Sequence, residues 1–249
     1  MSAAATHWAI DLAAAVPDLA AKFPKLAKMI AQFRDTQSAR SDLTSAFDMI
    51  GAIAQAAQAA DQGEDWAGRS VPALLIAAII LYSRATRTSS DHRSTLDLYH
   101  LFSDTEREAH TWLCNLRDDA LAHYGPGPSF GGASWHGEHV LLPLDRPQDV
   151  RILHATRRVT ATDEVMDIGQ RQIHRALMLA QRIAEKREEA LVDELNRAMH
   201  TDGGLADILN AHKVDMAALF GEHEIGDAIF NGDRISPTRF IWNNVATSP

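Results

Sequence analysis

The segment VPALLIAAIILYSRATRT (71–88) constrains the fold more than any other. Its first half is apolar on every side, and a helix of that kind needs neighbours all round it, as the central buried helix of a helical protein does. Ser70 is the expected cap, with Pro72 in the first turn. The second half turns basic. Arg84 and Arg87 lie on the side that Ile76 and Ile80 occupy one or two turns earlier.

Helix-favouring sequence continues on both sides. PDLAAKFPKLAKMIAQFRD (17–35) has helical apolar spacing after Pro17, with Pro24 a kink or a second start. SDLTSAFDMIGAIAQAAQAADQG (41–63) takes Ser41 as its cap and Gly63 as its stop. TLDLYHLF (95–102) reads as a short helix, and Ser103-Asp-Thr-Glu106 has the spacing of a capping box that opens the next one. Gly125 and Pro126 supply its stop. After the loop PGPSFGGAS, two stretches alternate as strands, 135–145 and 150–163, joined by the turn RPQD into a small antiparallel hairpin. Asp163 then caps a long helix over 164–200, with apolar residues at 165, 168, 173, 177, 180 and 183 and a charged later half. A short helix is expected near 205–220. The fold class is therefore mainly α, a helical bundle with a small β-hairpin insertion.

Composition narrows the function classes. At 46% hydrophobic and 23% charged, the chain of 249 residues suits one large globular domain. A formal net charge of −9 argues against broad coating of nucleic acid, though not against a local basic pocket. The single cysteine, Cys114, excludes an intrachain disulfide framework and a multi-cysteine zinc site. The run at 71–82 falls short of the roughly 20 apolar residues that span a bilayer. No basic region followed by a continuous apolar stretch opens the chain. The expectation is a cytoplasmic protein with no membrane partner.

The stretch LCNLRDDALAHYG (113–125) holds the anomaly. On a regular helix at about 100° per residue, Arg117 falls inside the apolar stripe of Ala109, Leu113, Cys114, Leu116, Ala120 and Leu121. Glu106, His110 and Tyr124 share that side, while Asp118 and Asp119 point away. A guanidinium facing a core is costly unless it is paired or lies in a polar cleft. His123 lies about 120° from Arg117 and about 9 Å along the axis. The two cannot grip one atom from a single straight helix, so a joint site needs a bend near Tyr124 or a second copy of the helix across a twofold axis.

LRDDALAHYG resembles the signature of the HEPN superfamily of all-α domains found in toxin, abortive-infection and RNA-cleaving systems: an arginine, a polar residue, and a histidine after a short spacer. Here these are Arg117, Asp118 and His123. LYSRATRT (81–88) resembles the arginine-bearing end of an earlier helix in related bacterial proteins. The resemblance covers about 70–200, leaving the helices of 1–62 packed on that core and an extension over 202–249. It implies metal-independent RNA cleavage by a homodimer, with no cofactor, in phage defence or with an antitoxin partner. His123 would be the general base or acid, and Arg117 would hold the phosphate and stabilise developing charge. Asp118 is the polar motif member, although Asp119, four residues before His123, is placed to orient the imidazole. Arg84 and Arg87 are candidate phosphate contacts, with His110 and Tyr124 beside them as candidate substrate-binding residues. The competing reading is a non-catalytic dimerisation or RNA- or nucleotide-binding module. In it Arg117 pairs with Glu106 or a carboxylate of another helix, and His123 caps helix carbonyls.

Other signals are weaker. His136 and His139 of HGEH face opposite sides of a regular strand, which disfavours a shared metal. Glu106 and His110 are spaced to share a metal, but a hydrogen bond is the simpler use. Cys114 reads as a core-edge thiol without an adjacent activating base. EKREEALVDE (185–194) reads as a solvated helix face, and GDRISP lacks the context of a phosphate-cradling loop. No metal site is expected.

Overall fold

The computed structural model describes residues 8–91, 93–118, 136–143, 152–158, 163–201 and 203–216. These are 78% helical, with six helices and two short antiparallel strand pairs. The mainly α bundle with a small hairpin is what the hydrophobic pattern calls for.

Three helix starts differ from the expected ones. Helix α1 spans Leu12–Lys22 and begins ahead of Pro17, because Asp11 accepts a hydrogen bond from the Ala14 amide at 2.9 Å and caps it. Helix α2 does start at Pro24, but it runs unbroken as Pro24–Asp61, so Ser41 is interior and caps nothing. Its stop is the expected one. Gly63 adopts φ 91°, and the Gly63 and Glu64 amides donate back to the carbonyls of Ala60 and Ala59. Helix α3 spans Asp65–Thr86, so Ser70 is also interior; its hydroxyl donates to the Trp66 carbonyl at 2.9 Å instead of capping. With this added turn, α3 is long and apolar enough to cross a membrane by length and composition, with a mean hydropathy of 1.4. In the fold, Leu75, Ala78, Ile79, Tyr82 and Ala85 of α3 lie in the core.

A 3-10 turn at Tyr99–Leu101 precedes α4, Asp104–Asn115. Both halves of the Ser103–Glu106 capping box are formed. Residues 116–118 then wind as a wider π-type turn. Strands β2 (His136–Leu141) and β3 (Leu153–Arg158) pair in register from His136 with Arg158 to Leu141 with Leu153. Helix α5 is Asp163–Thr201 and α6 is Gly204–Ala211. Strand β1 (Trp8–Ile10) pairs with β4 (Lys213–Asp215), a contact between segments distant in sequence that local patterning does not announce.

The described residues cluster into two compact units, divided within α2 and within α5. One, Gln32–Glu188, is built on residues of α2, α3, α4 and α5, with Leu43, Leu75, Ile79, Tyr82, Leu113, Leu116, Val165 and Ile173 in its core. The other joins the N-terminal elements to the chain from Glu189 on, with Leu19, Leu26, Leu205 and Leu209 buried. In that unit Glu194 is an exception to the largely solvated face of 185–194. It is buried, and its carboxylate receives Arg197 and also Lys25, the latter at 2.7 Å.

Candidate functional site

The arginine-bearing end of α3 and the final turn of α4 meet at Asp118. Arg87 closes α3 as its C-cap residue and reaches Asp118 Oδ2 at 2.9 Å. Arg117 Nη1 donates to Asp118 Oδ1 at 2.7 Å. The π-type turn overturns the regular projection on two points. Of residues 116–118, Leu116 alone goes into the core, while Arg117 is half-buried. Asp118 turns toward α3 rather than away, since a wider turn rotates each residue behind its regular position. Two guanidiniums on one carboxylate leave a local surplus of positive charge in a chain whose net charge is −9.

Below this pair lies a buried polar chain. His110 on α4 is enclosed by the rings of Tyr82, Tyr99 and Phe102, with centroids 5.7, 5.8 and 5.6 Å away. Burial lowers its pKa, and the Arg87 charge lowers it further against the opposing pull of Asp97. The imidazole is therefore neutral, and its Nδ1 lies 2.8 Å from the Tyr82 hydroxyl. Tyr82 donates to that nitrogen and accepts in turn from Gln172 Nε2 on α5 at 3.0 Å. Burial drives the Tyr82 pKa upward, so the phenol stays protonated. Cys114 does have a neighbouring base, which corrects the expectation from sequence: its sulfur lies 3.8 Å from His110 Nε2. Burial nonetheless raises the thiol pKa despite Ser83 and Arg87 nearby, so it is no ready nucleophile.

Arg84 does not join this site. Its guanidinium makes two contacts with Asp42 of α2, which also receives Arg93 at 2.7 Å, and Arg93 donates on to the Arg84 carbonyl at 2.7 Å. Burial alone would raise the Asp42 pKa, but the two arginines outweigh it and hold the carboxylate below its ordinary range. Glu106 pairs with Arg175 at 3.0 Å, not with Arg117, and also closes the cap of α4. Among the described residues no cluster of three metal-ligating side chains occurs. Asp119, His123 and Tyr124 lie outside the described residues. Sequence reasoning missed Tyr82, Gln172 and Arg93. The signal for Gln172 was a polar residue among the apolar positions of α5, and that for Tyr82 was a phenol in an apolar run, which needs a partner for its hydroxyl.

No family model, no curated protein and no solved structure matches the chain.

Proposed function

We propose that the chain is a HEPN-like, metal-independent endoribonuclease, acting as a cytoplasmic homodimer in phage defence or beside an antitoxin. The observation that carries this reading is the convergence of Arg87 and Arg117, from two helices, on the half-exposed carboxylate of Asp118. A phosphodiester is the natural competitor for that carboxylate, since it matches both guanidiniums in geometry and charge. With the phosphate held there, His123 takes the proton of the 2′-hydroxyl, whose oxygen attacks phosphorus. The 5′-oxygen leaves and is protonated, giving a 2′,3′-cyclic phosphate and a 5′-hydroxyl. Arg87 and Arg117 stabilise the charge on the non-bridging oxygens, and His110, buried and neutral, shapes the floor.

The purified chain should cleave RNA in EDTA and leave cyclic phosphate ends. Arg117→Ala and His123→Ala should each abolish cleavage while keeping the helical circular dichroism spectrum. Undiminished cleavage by both folded variants would sink the assignment. A second reading, RNA or nucleotide binding without turnover, draws on the same pairing, because Asp118 already satisfies both arginines internally. It expects retention of RNA with no cyclic phosphate product.

A further inference from the structure

We propose that the groove between α4 and α5 binds a small organic cation, an ammonium group carried on an apolar body. The groove has a volume of about 530 Å³, within the size range of small-molecule sites. Trp112, Ala109 and Ile168 give it apolar walls.

Its polar groups accept more than they donate. Gln172 is 2% exposed yet lines the groove. Gln172 Nε2 donates to the Tyr82 hydroxyl at 3.0 Å, so the amide nitrogen faces inward. That turns the amide carbonyl outward, and among the described residues it accepts no hydrogen bond. It is not a sealed atom either, which leaves it open to the groove. Among the described residues three charged side chains line it, and two are neutralised: Glu106 by Arg175 at 3.0 Å, and Arg171 by Asp167 at 2.7 Å. Glu108 has no ion pair among the described residues, so its carboxylate sets the charge of the groove. It also borders a second hollow of about 570 Å³ that shares Trp112.

One uncompensated carboxylate and one open carbonyl, set between apolar walls, form a receptor for a single positive charge that donates hydrogen bonds. A phosphate or carboxylate ligand would meet Glu108 and the amide oxygen as repulsive neighbours. This site is independent of RNA cleavage.

Calorimetric titration of the full chain with 2-phenylethylammonium chloride and with 2-phenylethanol tests it, since the two share a body and differ in charge. The amine should bind about tenfold tighter than the alcohol, the ratio that about 1.4 kcal/mol of pairing with Glu108 gives. Glu108→Gln, an exposed change that leaves the core untouched, should erase most of that difference, and Glu108→Lys should abolish amine binding. Equal affinity for amine and alcohol, no amine binding up to about 10 mM (a weaker Kd than any useful small-ligand site), or an unchanged amine affinity in Glu108→Gln would each overturn the proposal.

Discussion

Asp118 bridges two helices: its Oδ2 lies 2.9 Å from Arg87 Nη1, and its Oδ1 accepts from Arg117 Nη1 at 2.7 Å. The carboxylate ties the end of α3 to the last turn of α4 and holds two guanidiniums ready while masking them. Exposed or half-exposed pairs of this kind contribute about 0–1 kcal/mol each to stability, so the arrangement is a charge device more than a structural one.

Asp118→Asn separates these roles. Losing the masking charge should cost less than about 1 kcal/mol in urea melts. RNA affinity, by fluorescence anisotropy, should rise, with the salt slope steepening by about one ion as one more arginine becomes free for phosphate. If Asp118 also serves the cleavage step, turnover falls while binding strengthens. Weaker RNA binding in a folded Asp118→Asn protein would show that the carboxylate does not compete with phosphate.

Tyr82→Phe removes the hydroxyl that accepts from Gln172 and donates to His110. Both partners are buried, so the loss leaves two polar groups unsatisfied and should cost about 1–3 kcal/mol of unfolding free energy. Adding Gln172→Leu to Tyr82→Phe should restore part of this, because one orphaned group is then gone. A double variant that loses the sum of the single losses would mean the three residues do not act as one chain.

Much of the fold was legible because local signals agreed with the packing. The Ser103–Glu106 box, the Gly63 stop and the change to strand alternation at β2 and β3 each fix an element from a few residues. Helix starts were misread at Ser41 and Ser70 because serine both caps helices and back-bonds within them, and only packing decides which. The β1–β4 pair joins three-residue strands far apart in sequence, beyond the reach of periodicity. At the site, the charged residue types were visible but their pairing was not. The regular projection assigned Asp118 to the solvent side, and the π-type turn at 116–118 brought it to Arg87.

Gly63 joins α2 to α3 at φ 91°, a conformation that disfavours any Cβ even though nothing lies within 4 Å of one. Gly63→Ala should therefore lose about 1–2 kcal/mol from backbone strain alone. Gly51, interior to α2 with equally open surroundings, makes the control. Gly51→Ala should gain up to about 1 kcal/mol from helix propensity. Thermal melts showing the same sign for both would contradict the left-handed stop.

His110 should give the fold a distinct acid sensitivity. Burial, then the Arg87 charge, hold its folded-state pKa below the ordinary 6.5, while Asp97 opposes them; Tyr82 and Cys114 are its polar contacts. The unfolded chain therefore binds a proton that the folded chain refuses. The stability this supplies is fully present above pH about 6.5 and is lost as pH falls from there toward the lowered folded value, with a slope of at most about 1.4 kcal/mol per pH unit. Asp42 acts lower. Its folded pKa lies below 3.8, so its contribution holds above that value and disappears only as pH falls through the folded one. Urea midpoints for the wild type and for His110→Gln, measured from pH 8 to pH 4.5, test this. The wild type should lose stability across the window below 6.5, and the His110→Gln curve should be flatter there whatever its starting value. Parallel curves would mean that His110 accepts its proton as readily in the fold as out of it, and would remove the basis for treating it as a neutral, buried acceptor of the Tyr82 hydroxyl.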